Sequence, residues 1–379
     1  MTKALCLQGG GAKGAFQAGA LKALNERGYR FDCVVGASVG ALNAALYALG
    51  KTDEMYSLWE SSDYSDLFPE EIRLFGENMT GLSFLLAALR VIGSGMDTTR
   101  LRALVEEHVD EDALRASPVR FGLVTVRDGE TRTLCKKFIE DIPKGQLVDY
   151  LMASMALPFF KKVEIDGVRY LDGGMLDNLP IGMLAEAGYK DITAIRLGGD
   201  IRYAVDDPDL KIRYIDPSDR PGSTMGFKNE EVRRGLYLGY YDMQRELDGL
   251  LGERYYIQPF GRSDIHRFLK ARAPFLSEAL ASFGEKATGT VREDARKFAS
   301  RLASLFEKGG ISETKAWTFF MECLALLCDL PRWHVYRFDE MLDEIAERFD
   351  EKKDFAESEL AEKILPIARM LFKEWKKNG

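Results

Sequence analysis

Apolar residues along the first 200 positions follow two alternating rhythms. Short runs at 4–7, 31–35, 120–126, 131–135, 168–171 and 192–197 are dense in apolar and β-branched residues and predict strands. Between the first two, the period lengthens to that of a helix. Phe16, Ala20, Leu21 and Leu24 share one face over 15–27, which Gly28 ends, and a second helix follows over 41–49. Strands separated by helices predict an α/β fold: three layers, α/β/α, around a central and mostly parallel sheet. Past about residue 225 the strand pattern nearly vanishes, apart from 255–257. Val232, Leu236, Tyr240, Met243 and Leu247 mark an amphipathic helix, and residues 263–379 add several more. The expected division is an α/β domain over 1–225 and a mostly helical region over 226–379. The stretch 206–222, with three prolines and many aspartates, reads as a surface connection.

Composition narrows the classes. With 46% apolar and 30% charged residues, the 379-residue chain reads as globular. Sixty acidic against 52 basic side chains give a net charge of −8, with no basic footprint for nucleic acid. Five cysteines without CxxC spacing read as buried, reduced thiols of a cytosolic protein. Met1-Thr2-Lys3 runs directly into a strand, so no secretory signal is expected. No uninterrupted apolar run approaches the roughly 18 to 20 residues of a membrane span. The expectation is a cytoplasmic protein, at most peripheral to a membrane.

Two glycine motifs then carry the chemistry. Gly9-x-Gly11-x-x-Gly14 follows the first strand and matches a dinucleotide fingerprint in form. A dinucleotide site wants an acidic residue at the end of the second strand, roughly 20 residues on, to hold the ribose. The candidate, Asp32, begins that strand instead, and a P-loop fails because Lys13 precedes Gly14. Gly36-Ala37-Ser38-Val39-Gly40 is GxSxG between a strand and a helix, the context a nucleophile elbow requires. Glycines on both sides allow a sharp turn that lifts Ser38 Oγ off the sheet, and the following helix points its free N–H groups at the same place. Beside such a nucleophile, consecutive glycine N–H groups suit an oxyanion hole, each donor lowering the barrier by roughly 3 kcal/mol. The hole is drawn from Gly9, Gly10 and Gly11, with the N–H groups of Gly10, Gly11 and Val39 as donors. Lys13 either adds positive charge there or is solvated at the helix start.

A serine nucleophile needs a base. His108 follows a charged helical stretch, and His266 and His334 lie in the helical region; none follows a strand as a catalytic histidine would. The alternative is a carboxylate. Asp172, in Tyr170-Leu171-Asp172-Gly173-Gly174, ends a predicted strand, where burial would raise its pKa toward that of a working base. Alone, the same stretch reads as an Asp-Gly turn.

Together these blocks resemble the patatin-like phospholipases, acyl hydrolases with a Ser-Asp dyad. Gly9-Gly10-Gly11-Ala12-Lys13-Gly14 is similar to the family's oxyanion loop, where arginine is commoner than Lys13. Gly36 to Gly40 resembles its elbow, Ala153-Ser154-Met155-Ala156-Leu157-Pro158-Phe159-Phe160 the AS-x-A-x-P block that shapes its site, and Asp172-Gly173-Gly174, with Asn178 and Pro180 after it, its DGG/A motif. The match covers roughly 3–200. It implies that Ser38 attacks an ester carbonyl with Asp172 as base, that Gly14, Gly36, Gly40, Gly173 and Gly174 support the motifs, and that no cofactor and no metal take part. The implied substrate is a phospholipid or another acyl-ester lipid. Two rivals remain: an acyltransferase using the same acyl-enzyme, and a silent scaffold that binds a partner through the helical region. The apolar stretch 81–93 reads either as a lid dipping into lipid or as a core helix. For 324–327, a helix–helix contact or a dimer interface is expected.

Overall fold

The computed structural model describes residues 2–61, 95–199, 203, 207–305, 310–352, 355, 358–373 and 375. The stretch 81–93 therefore lies outside the described residues. By internal contacts the chain divides into two compact units, 1–244 and 245–379.

The first unit carries β1 (Lys3–Leu7), β2 (Cys33–Ala37), β3 (Arg120–Arg127), β4 (Thr133–Phe138), β5 (Val163–Ile165), β6 (Val168–Asp172), β7 (Asp191–Ile195) and β8 (Lys211–Ile215). They form one sheet in the order β5-β6-β3-β2-β1-β7-β8, with β4 also paired to β3. From β3 through β2, β1 and β7 to β8 every pairing is parallel. The strands β4, β5 and β6 join antiparallel. Strands β5 and β8 differ from the sequence expectation. The segment 206–222, read as a connection, contains β8. Its Lys211 and Arg213 alternate with Ile212 and Tyr214, the mark of an edge strand with one wet face, and nearby prolines disguise it.

Helices follow most strands: α1 (Gly14–Glu26), α2 (Val39–Ala48), α3 (Thr52–Ser61), α4 (Thr99–His108), α5 (Glu111–Ala116), α6 (Leu147–Ser154), α7 (Ile181–Glu186) and α8 (Asn229–Asp248). Alternate strand residues Ala4, Cys6, Cys33, Val35, Ala37, Ile192 and Ala194 pack with Ile181, Met183 and Leu184 of α7 on one face. The intervening Leu5, Leu7 and Val34 are equally buried, so the opposite face is covered as well. Both faces are dry, which is why β1 and β2 read as continuous apolar runs.

The feature that matters most for the site lies along one edge of β3. Strand β2 runs parallel to it and stops with Ala37 opposite Val124. Strand β6 comes from the other direction and stops with Asp172 opposite Thr125, on the next position of β3. The two strands thus end head to head along one neighbour, and Ser38 follows the end of the first while Asp172 is the end of the second. The Thr125 hydroxyl fixes this register, donating to the Leu171 carbonyl at 2.8 Å.

The second unit is largely helical, with α9 (Arg262–Lys270), α10 (Ala273–Ser282), α11 (Val291–Leu305), α12 (Glu313–Leu327), α13 (Phe338–Glu351) and α14 (Glu359–Phe372). It also holds a short parallel pair, β9 (Tyr256–Ile257) and β10 (Val335–Tyr336). Trp317, Phe298 and Phe320 are fully buried at its centre. The Glu322 carboxylate is buried as well and accepts three N–H groups, from Glu253, Arg254 and Tyr255, at 2.9, 2.7 and 2.8 Å. Leu324, Ala325 and Leu327 belong to this core and Leu326 is exposed.

Candidate active site

Ser38 sits between β2 and α2 with φ 53° and ψ −129°, backbone angles an L-residue adopts only under strain. Packing enforces them. A Cβ on Gly36 would lie 2.2 Å from the Gly40 carbonyl oxygen, so strand and helix touch backbone to backbone across the turn. Gly36→Ala is therefore expected to cost about 3 kcal/mol or more in a urea unfolding measurement. Ser154 locks the same turn from below. Its fully buried hydroxyl accepts the Ser38 N–H at 3.1 Å and donates to Val124 O at 2.8 Å.

Asp172 is 3% exposed. Its Oδ1 accepts the Gly174 N–H at 2.7 Å, capping the 3-10 turn Gly173–Met175, and its backbone N–H donates to Ala156 O at 2.8 Å. Oδ2 is buried with no partner of full hydrogen-bond geometry among the described residues. Burial pushes the carboxyl up to about 6, against the pull of the neighbouring Ser38 hydroxyl and the Gly174 N–H. The sequence-predicted serine and aspartate are thus together.

The glycine loop arrives at the carboxyl end of β1, next to β2, where open parallel sheets collect ligands. Gly9 and Asn178 hold each other: Gly9 N–H donates to Asn178 O and Asn178 Nδ2 donates to Gly9 O, both at 3.1 Å. The Gly9 N–H therefore already has an acceptor. The N–H groups of Gly10, Gly11 and Val39 have none among the described residues. Gly11 has φ +57°, and a Cβ there would lie 2.2 Å from Thr224 O, so the chain around Thr224 closes over it. Gly14 abuts Val39, Gly40 the Leu7 carbonyl, Gly173 the Val124 carbonyl and Gly174 the Asn178 side chain. Lys13 ends the 3-10 turn Gly11–Lys13 and is partly exposed.

The residues weighed against this arrangement are occupied elsewhere. Asp32 Oδ2 accepts the Lys3 N–H at 2.7 Å, at the start of the strands and far from a ribose position. Each histidine pairs with a glutamate: His108 with Glu54, His266 with Glu313 and His334 with Glu340, at 2.8, 2.9 and 3.2 Å. All five cysteines are free, and burial raises the thiol pKa of Cys6 and Cys33.

A pocket opens on Ser38, walled almost entirely by apolar side chains, among them Leu42, Leu46, Met55, Leu101, Leu157 and Phe227. Of these, the sequence marked only Leu157, through its AS-x-A-x-P block; the other apolar positions read equally well as core. Also unforeseen is a set of buried amides, Gln8, Gln17 and Asn43, at 4%, 0% and 0% exposure; on a helix, as for Gln17 and Asn43, periodicity would assign them to solvent. No helix among the described residues is long and apolar enough to cross a membrane. Met175 and Leu176, just beyond Asp172, are exposed.

The chain is similar to several known proteins. An uncharacterized NTE family protein of Mycobacterium tuberculosis is 28% identical over 197 residues, 52% of this chain and 49% of that protein. Human patatin-like phospholipase domain-containing protein 6 is 29% identical over 204 residues, 52% of this chain and 13% of that protein. The chain thus spans about half the length of the mycobacterial relative it matches. Among solved structures, VipD from Legionella pneumophila is matched over 98% of this chain and 91% of that one, at 13% identity and a TM-score of 0.42. The Patatin-like phospholipase family model matches residues 5–185, a span that holds the glycine loop, Ser38 and Asp172, so this chain carries a patatin-like phospholipase domain over those residues.

Proposed function

We propose that this protein hydrolyses carboxylic ester bonds of lipids, phospholipids among them, through an acyl-enzyme on Ser38. The observation that carries the reading is a buried carboxyl, Asp172, pushed up to about 6 beside a strained serine at the mouth of an apolar pocket. A carboxylate in water is too weak a base for a hydroxyl; one destabilised by burial gains basicity in proportion. As Ser38 Oγ attacks the ester carbon, Asp172 takes its proton and the carbonyl electron pair moves onto oxygen. The N–H groups of Gly10, Gly11 and Val39 receive that charge, and the positive end of α2 stands behind Val39. Collapse breaks the ester C–O bond, and the departing alcohol leaves with the proton held by Asp172. Water, losing its proton to Asp172, then attacks the acyl carbon. A fatty acid departs, and Ser38 regains its hydrogen. Gly9 serves by contact, letting the loop approach Asn178 and Ser38.

The apolar pocket suits an acyl chain, and among the described residues its walls supply no charged partner for a headgroup. Exposed Met175 and Leu176 support access from a lipid surface. Treating the protein with a long-chain fluorophosphonate, with and without lipid vesicles, tests the reading by intact mass. One adduct is expected on the parent chain and none on Ser38→Ala. A parent that stays unlabelled in both conditions would overturn it.

A further inference from the structure

Four buried side chains link the wall of the acyl pocket to the glycine loop. Trp59, on α3, lines the pocket and donates its indole N–H to Asn43 Oδ1 at 3.1 Å. Asn43 Nδ2 donates to Gln17 Oε1 and to the Gly14 carbonyl, both at 3.0 Å. Gln17 Nε2 donates to the Gln8 backbone carbonyl at 2.7 Å. The Gln8 side chain is pinned in turn, Oε1 by the Leu197 N–H at 2.6 Å and Nε2 on Gly198 O at 3.3 Å. Gln8 is the residue before the glycines.

The chain of bonds has one direction. An indole nitrogen can only donate, so it obliges Asn43 to present its oxygen to Trp59 and its NH2 to Gln17. Gln17 then presents its oxygen to Asn43 and its own NH2 to Gln8. A flipped amide anywhere would set donor against donor in a buried site, leaving polar groups unsatisfied there. One donor-only group therefore fixes every amide between itself and the loop.

We propose that Gln17, Asn43 and Trp59 are positioning residues that hold the Gly10 and Gly11 N–H groups at the place where the oxyanion forms. The inference rests on the hydrolase reading above. It also explains why polar side chains sit in a core that apolar residues of similar size would fill: a preorganised oxyanion hole needs its donors fixed before the reaction begins.

The test uses 4-nitrophenyl acetate, whose acyl group is too short to need the pocket wall, with Trp59→Phe and Gln17→Leu in the full chain. Melting temperature and amide hydrogen exchange of the 8–14 segment are measured alongside. Each variant is expected to lower kcat about tenfold, equivalent to about 1.4 kcal/mol of barrier, with KM within about twofold. Exchange in 8–14 should speed up while the melting temperature moves by only a few degrees. Unchanged kcat with unchanged loop exchange overturns the proposal. So does a loss of activity that tracks a fall in melting temperature, since ordinary destabilisation would then explain it. Failure of the hydrolase reading looks different: Ser38→Ala would turn over the ester as fast as the parent, and loop exchange alone would then decide the relay.

Discussion

Ser38→Gly is expected to abolish ester hydrolysis, by about 10^5-fold or more, and at the same time to make the protein harder to melt. The first effect follows from losing the proposed nucleophile. The second follows from φ 53° and ψ −129° at this residue, angles that cost an L-residue roughly 1–3 kcal/mol and glycine much less. Against that gain stands the extra chain entropy of glycine, about 0.5–1 kcal/mol. The net is roughly 1 kcal/mol, a rise of about 2–4 °C in melting temperature for a unit of this size. Ser38→Ala is the control. It removes the same hydroxyl but keeps the Cβ, so it should be as inactive as the glycine variant without sharing its stability. If both variants melt where the parent does, the strain assigned to the turn is absent.

Asp172→Asn should produce a comparable pairing of lost activity and gained stability, with a pH signature. Removing the proposed base is expected to slow hydrolysis about 10^3- to 10^4-fold. The new amide oxygen can still accept the Gly174 N–H, so the turn survives. The folded carboxyl titrates near 6 because burial raises it above the usual carboxylate value of 3.8. Between those two values the folded chain holds a proton that the unfolded chain has released. Folding is therefore least penalised by this group below about pH 4, and stability is lost as pH rises through about 6. Above that the penalty is on the order of 3 kcal/mol, and Asp172→Asn would remove it. The variant should unfold at higher urea than the parent at pH 8 and at the same urea at pH 4. Parent kcat/KM should fall as pH drops through about 6. Equal stability at both pH values would mean that the carboxyl titrates normally and is no special base.

The proposed serine and aspartate could be singled out from sequence because each sits in a local motif. Gly36 to Gly40 fixes a turn by itself, and Asp172-Gly173-Gly174 does the same. The parallel core was legible too, since β1 and β2 are apolar on both faces. What carried no local signal was pairing. Nothing in Val168–Asp172 says that it lies antiparallel on the edge of β3 that β2 vacates, because that register is set by residues more than forty positions away. Strand β8 was missed because its exposed basic residues and neighbouring prolines look like a loop. Gln17 and Asn43 sit on helices where a polar residue normally means solvent, and only the packing of α1, α2 and α3 encloses them. The Gly9 N–H appeared free in the motif until Asn178, far along the chain, supplied its acceptor.

The head-to-head ending of β2 and β6 also orders events in time. Ser38 leaves the ribosome long before Asp172, and until β6 docks beside Thr125 the serine lacks its proposed base and Asp172 remains an ordinary, fully ionised carboxylate in water. On the proposed mechanism, a half-made or unfolded chain is then inert toward lipid, and the same pairing that extends the sheet also arms the serine.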